Sequence, residues 1–118
     1  MDETLSDEKR KEVDNQVKNF MNDEKMIEFL SSIFKVLADP TRLKIIYALS
    51  KSPLCVTDIS EMLEMSQSSI SHQLAMLRNK ELIKVERVGR KAIYSLDDEH
   101  VITLFKEGYN HAEHKKNN

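Results

Sequence analysis

Cysteine is almost missing from this chain. One of 118 residues is Cys, which excludes an intrachain disulfide and fits a reducing compartment. Glycine and proline occur twice each, too few for a Gly-rich phosphate loop or a long linker, and neither a P-loop nor a dinucleotide fingerprint is present. No apolar run approaches the ~20 residues of a membrane span, and the opening MDETLSDEKRKE is too charged for a secretory signal. What remains is a mostly helical single domain, expected in the cytoplasm, with an apolar content of 40% and a charged content of 32%. At this length a monomer buries a modest core, and dimerisation would add to it usefully.

Histidine is unevenly spread: three of the four lie in DDEHVITLFKEGYNHAEH, Asp97 to His114. Leu96 and Val101 are placed as a hydrophobic staple around an Asp97 N-cap. Val101, Ile102, Leu104, Phe105, Tyr109 and Ala112 recur at mostly three- and four-residue spacing, so the stretch reads as an amphipathic helix. His111 and His114 then share one face, and Asp98 and His100 stand together at the helix start. At ~1.5 Å rise per residue the two pairs are roughly 16 Å apart, so one helix cannot close a four-ligand site. An antiparallel copy of the helix from a second subunit would bring Asp98 and His100 of one chain to His111 and His114 of the other, giving two symmetric sites. One carboxylate and three imidazoles at tetrahedral reach suit Zn(II), with Co(II) as its mimic and Ni(II) if further ligands join. The spacings alone also fit a solvated helix that happens to carry histidines.

Charge is segregated along the chain. Residues 1–28 hold nine acidic and five basic residues, net −4, whereas residues 66–91 hold six basic and two acidic, net +4. A local positive face is what phosphate binding needs, even in a chain of net charge −2. Val13, Val17 and Phe20 suggest a weakly amphipathic first helix within a charged arm, residues 1–22, that frays at its start. The remainder, 23–118, forms the main domain. From Asp23 to Leu37, Met26, Ile27, Phe29, Leu30, Ile33, Phe34, Val36 and Leu37 form a stripe wider than one subunit's core requires. Part of it is expected at a dimer interface, the alternative being an entirely intrachain core. Asp39-Pro40 caps and starts the next helix, which ends near Ser50.

Ile59, Met62 and Leu63 line a short helix, Glu64-Met65-Ser66 turns, and Ile70, Leu74 and Leu77 line the next: helix-turn-helix spacing without the frequent turn glycine. The second helix presents Gln67, Ser68, Ser71 and His72, with Gln73 and Arg78 nearby. Short hydrogen-bonding side chains without a carboxylate suit entry into a major groove, and an ordinary solvated face is the alternative. Two alternating runs, IKVERV and KAIYSL, flank Gly89-Arg90 and read as a β-hairpin whose tip carries Arg87, Arg90 and Lys91. Such a basic hairpin is a wing that would touch phosphate backbone or minor groove. The expected fold is therefore mainly α with a β-hairpin, a winged helix-turn-helix homodimer with paired N- and C-terminal helices.

The segments KVLADPTRLKII, LCVTDIS, SQSSISHQLAMLRNKELIKVERVGRKAIYSL, DDEH and HAEH, spanning Phe34 to His114, resemble the ArsR/SmtB family of metal-sensing repressors. The resemblance implies a dimer that binds a partly palindromic operator and releases it on binding metal, controlling metal efflux or resistance. It also implies, in relatives using the last helix, ligands in a pattern of D-x-H, ten intervening residues, then H-x-x-H or H-x-x-E; Asp98, His100, His111 and His114 match the all-histidine version, the form associated with zinc and cobalt. Gln67, Ser68, Ser71 and His72 match its DNA-facing positions. In relatives a ligand histidine also bonds backbone at the end of the recognition helix, here near Glu81. Other relatives carry a cysteine site in an L-C-V-C-D or L-C-V-G-D stretch. Here Leu54-Cys55-Val56-Thr57-Asp58 keeps one cysteine and the N-terminal arm offers no soft ligand, so Cys55 reads as a small buried hydrophobe.

The rival functions are a Ni(II)- or Co(II)-responsive repressor and a zinc-binding dimer without a DNA role, against which the basic wing argues. Four protein ligands would leave no open position for catalytic water, and no nucleophile or general-base constellation accompanies them, so neither an enzyme nor a small organic substrate is expected.

Overall fold

The computed structural model describes residues 5–118. The elements run α1 (Asp7–Asn22), α2 (Glu24–Leu37), α3 (Pro40–Lys51), α4 (Val56–Leu63), α5 (Gln67–Asn79), β1 (Ile83–Val88), β2 (Lys91–Leu96) and α6 (Glu99–Lys116). The chain divides between Lys35 and Val36 into two compact units.

In the first unit, Ser6 caps α1 by accepting the Lys9 amide at 3.1 Å, and the ion pairs Lys9–Glu12 and Lys18–Asp14 run along its surface. The fraying expected at the extreme N-terminus falls on residues 1–4, outside those described. Asp23 separates the helices: its amide donates to Phe20 O, and its carboxylate accepts the Met26 amide at 3.1 Å, capping α2. α1 buries no residue, and Val17, Phe20, Met21, Met26, Phe29, Leu30 and Phe34 are all exposed.

The second unit holds the core. Ile45, Ile46 and Leu49 from α3, Ile59 from α4, and Ile70, Leu74 and Leu77 from α5 meet Leu82, Ile83, Leu96 and Val101. Asp39 caps α3 through the Arg42 amide at 3.0 Å, with Pro40 at the first helical position, where its missing N–H costs nothing. The α4–α5 turn works without glycine because Glu64 itself adopts a left-handed φ of 56°. Ser60 secures it, donating its hydroxyl to Met65 O and accepting the Met65 amide at its own carbonyl at 3.0 Å. Met62, expected to line this helix inward, is 60% exposed, since only Ile59 and its neighbours face α5 and the core.

The hairpin pairs Ile83 with Leu96 through to Val88 with Lys91, leaving Gly89-Arg90 as a two-residue loop. Gly89 has φ +65° and Arg90 does not share that left-handed region, the pattern of a type II′ turn, whose first central position suits glycine. Leu54 extends the sheet by one bridge, its N–H donating to Tyr94 O at 3.0 Å and its carbonyl accepting the Tyr94 amide at 2.8 Å. Three helices around a core, a tight helix-turn-helix at α4–α5 and a hairpin behind it make this a winged helix-turn-helix. One boundary shifts: Asp98, not Asp97, caps α6, because the Asp97 amide is taken by Leu82 O at 3.0 Å while Asp98 Oδ1 accepts the Val101 amide.

Candidate functional site

Ser66 fixes the start of α5 by accepting the Ser69 amide at 3.0 Å. From there Gln67, Ser68, Ser71 and His72 are exposed along one side, while Ile70, Leu74 and Leu77 hold the opposite side in the core. Arg78 is exposed nearly two turns further on, and Gln67 reaches back to Thr57 at the start of α4, Nε2 to Oγ1 3.5 Å. Gln73 stands apart from this group. Its Oε1 accepts Arg42 Nη1 at 2.9 Å, which turns it toward α3 and away from the open face.

That guanidinium does more than hold Gln73. Arg42 Nε donates to Val36 O at 2.7 Å, and Nη1 also lies 3.3 Å from Met76 Sδ. Val36 O belongs to the last turn of α2, where carbonyls lack helical partners and a cation is favoured. Arg42 thus joins the end of α2, the start of α3 and the middle of α5. Its role went unread in the sequence because its partner is 31 residues away; the only local signal was its place three residues after a capping Asp.

Arg87, Arg90 and Lys91 are exposed at the hairpin tip. Tip and recognition helix are positioned together, because Leu82 N–H binds Leu77 O at 3.1 Å and Glu81 N–H binds Arg78 O at 2.9 Å, turning the chain sharply from α5 into β1. Glu81 makes that turn with a left-handed φ of 56°.

α6 carries two different faces. Phe105 and Tyr109 pack toward Tyr47 of α3, with ring centroids 6.3 and 5.9 Å from it, and Lys51 Nζ lies 5.1 Å from the Tyr47 centroid. At about 100° per residue, His100, His111 and His114 fall within roughly 60° of one another and on the side away from Phe105. All three are exposed. The apolar positions expected to form one stripe therefore divide: Val101 is buried, whereas Leu104 and Ala112 are exposed.

At the start of the helix His100 Nδ1 lies 3.7 Å from Asp98 Oδ1, with the imidazole 97% exposed. The Val101 amide foremost holds the Asp98 carboxyl below the usual carboxylate range; desolvation opposes it, and the His100 amide and imidazole add to the lowering. Asp98 Oδ1 is engaged in the cap. Among the described residues, one chain gathers no group of three or more His, Cys, Asp or Glu able to hold a metal. The donors are the right kind for a borderline metal such as Zn(II), but one copy supplies them as two separated pairs.

Cys55 lies elsewhere, 7% exposed at the head of α4, its Sγ 3.2 Å from Asp58 Oδ2. It packs as a small apolar residue.

The profile of bacterial regulatory proteins of the arsR family matches residues 39–85, from the capping Asp of α3 into β1. The transcriptional repressor SmtB homolog of Synechocystis is 40% identical over 106 residues, covering 90% of this chain and 77% of that one. The transcriptional regulator NmtR of Mycobacterium tuberculosis is 46% identical, covering 72% and 71%. Among solved structures, the homodimeric winged helix-turn-helix DNA-binding domain of a possible ArsR-family regulator from Mycobacterium bovis superposes with a TM-score of 0.76 at 25% identity, covering 80% of this chain and 89% of that one. With these relatives aligned over most of its length, the chain belongs to the arsR family of bacterial regulatory proteins.

Proposed function

We propose that this protein is a cytoplasmic homodimeric repressor that binds operator DNA through α5 and the hairpin and releases it when Zn(II) is bound between paired α6 helices. The observation that carries the reading is the division of α6: its aromatic face is spent on α3, while His100, His111 and His114 share an exposed opposite face with Asp98 at its head. A metal site that one chain leaves in two halves calls for a second copy.

Dimerisation has independent support. Phe20, Met26, Phe29 and Phe34 are each about half exposed, an apolar surface of the kind soluble proteins cover with a partner. The Mycobacterium bovis relative is itself homodimeric. A two-fold axis would place two copies of α5 toward successive major grooves of a palindromic site. Gln67, Ser68, Ser71 and His72 then meet base edges and phosphates, and Arg78, Arg87, Arg90 and Lys91 neutralise backbone.

Asp98 and His100 of one protomer and His111 and His114 of its partner would hold the ion, and a shared ion would tie the two α6 helices together. Because α6 packs on α3, and Arg42 of α3 grips Gln73 of α5, a change in α6 pairing bears on how far apart the two recognition helices stand. Metal and DNA then oppose one another reciprocally, by a coupling free energy of about 1–3 kcal/mol.

The test is fluorescence anisotropy of a labelled operator duplex with Zn(II), Co(II), Ni(II) and Cd(II) added in turn, for the native protein and His111→Ala. The native dimer should release DNA on Zn(II); His111→Ala should bind DNA as before and fail to release it. Zinc-driven release from His111→Ala would show that the sensor lies elsewhere, and zinc binding without any selective DNA affinity would leave only a metal-binding dimer. Stronger release by Ni(II) than by Zn(II) would move the metal assignment.

A further inference from the structure

Between α5 and β2 lies a groove of about 430 Å³ lined by Ser71, Leu74, Ala75, Arg78, Asn79 and Tyr94. Leu74 is buried in the core, and Ala75, the smallest side chain of the six, is exposed. Four polar groups line it: a hydroxyl from Ser71, a guanidinium from Arg78, an amide from Asn79 and a phenol from Tyr94. No carboxylate does.

Tyr94 is held firmly. Its backbone stands in register opposite Val85 across the hairpin and is bonded on the other edge to Leu54 through both N–H and C=O. Its phenol needs no part in that scaffold, and among the described residues it makes no side-chain hydrogen bond. The same holds for the ends of Arg78 and Asn79. A guanidinium with no carboxylate to balance it, beside a hydroxyl, a phenol and an amide that can each donate, suits an acceptor-rich anion.

The position of the groove says which. A recognition helix in a major groove and a wing reaching the adjacent minor groove straddle the sugar–phosphate strand that separates those grooves, so that strand has to pass between the two elements. Here the space between them is this groove. We propose that it seats one strand of the DNA backbone, with Tyr94 and Asn79 donating to phosphate oxygens beside Arg78. Tyr94 lies on β2 and Asn79 is the last residue of α5, about two turns beyond His72, so both stand away from the helix start that meets base edges; they set affinity and register and carry no base preference. The inference rests on the DNA-binding reading above and adds to it two contact residues beyond the start of α5 and the hairpin tip.

The probe is a duplex selected by the native protein from a randomised 30-bp library, together with its single-base derivatives, titrated by anisotropy at several salt concentrations. Tyr94→Phe deletes one oxygen and leaves the ring packed; it should weaken binding to every duplex alike by about 2- to 12-fold, the worth of one net hydrogen bond. Because the phenol is neutral, the slope of affinity against salt should not change. Asn79→Ala should behave the same way, whereas Arg78→Ala should lower that slope by about one. Ala75→Glu, an exposed change that places a carboxylate in the groove, should weaken binding more than Ala75→Gln does. Thermal unfolding of each variant checks that the fold is kept. Native-like affinity in both Tyr94→Phe and Asn79→Ala, or losses confined to particular base substitutions, would overturn the assignment while leaving the repressor reading intact. A native protein that selects no duplex would overturn both.

Discussion

Arg42 Nη1 donates to Gln73 Oε1 at 2.9 Å, and the same guanidinium donates Nε–H to Val36 O at 2.7 Å, so one side chain ties the middle of α5 to Val36. Arg42→Met keeps the aliphatic stem and removes every donor, leaving two part-buried acceptors unpaired. We expect a loss of about 1–3 kcal/mol in urea unfolding and weaker operator binding. Gln73→Ala removes one of the same contacts, so the double variant should lose less than the two single losses combined. Additive losses would mean that the two residues act separately.

Much of this fold is written in short-range patterns. Ile70, Leu74 and Leu77 at helical spacing mark α5, Ser66 marks its start, and Gly89 between alternating runs marks the hairpin, each a local property of a few consecutive residues. What escaped is longer-ranged or supplied by an unusual residue. The α4–α5 turn uses Glu64 at positive φ, secured by Ser60, where pattern reading looks for glycine. The Leu54–Tyr94 bridge and the Arg42–Gln73 bond join residues 40 and 31 positions apart, which no periodicity encodes. The division of α6 was half legible: histidine spacing gives their common face, but only packing on Tyr47 shows that this face is turned away from its own chain.

Asp98 serves two purposes that substitution can separate. Its carboxylate caps α6, and the cap bond from Val101 N–H lowers its pKa. A depressed carboxylate favours the folded cap at pH above the ordinary Asp value and loses that contribution as pH falls through the folded value, so the first turn of α6 should loosen in acid, below about pH 4. Asn caps as well as Asp but carries no charge. Asp98→Asn should therefore keep the helix, abolish the acid-dependent loosening of the Val101 amide seen by NMR, and weaken zinc binding near neutral pH. Unchanged zinc affinity would remove Asp98 from the ligand set.

Cys55 offers a contrast with the histidines. Its thiol is buried beside Asp58, the chain has no second cysteine, and among the described residues no group of three metal-ligating side chains forms. Cys55→Ala should lower stability by about 1 kcal/mol through lost packing. Zinc stoichiometry and zinc-driven release should both stay at the native level. A lower stoichiometry in calorimetric titration would assign the thiol to a metal site.

The wing tip is set by Gly89, whose φ of +65° is open to glycine and tolerated by Asn but costly for other residues. A Cβ added there meets nothing within 4 Å, so the penalty of Gly89→Ala is purely conformational, about 1 kcal/mol, and Gly89→Asn should lose less. Because Val88 pairs with Lys91 across that turn, a disturbed loop also misaims Arg90 and Lys91. Operator affinity should fall in the order native, Gly89→Asn, Gly89→Ala. The salt slope should fall in the same order, since what is lost is contact with phosphate charge. A Gly89→Ala variant that unfolds earlier yet binds DNA with the native affinity and slope would show that the hairpin tip stands clear of the duplex.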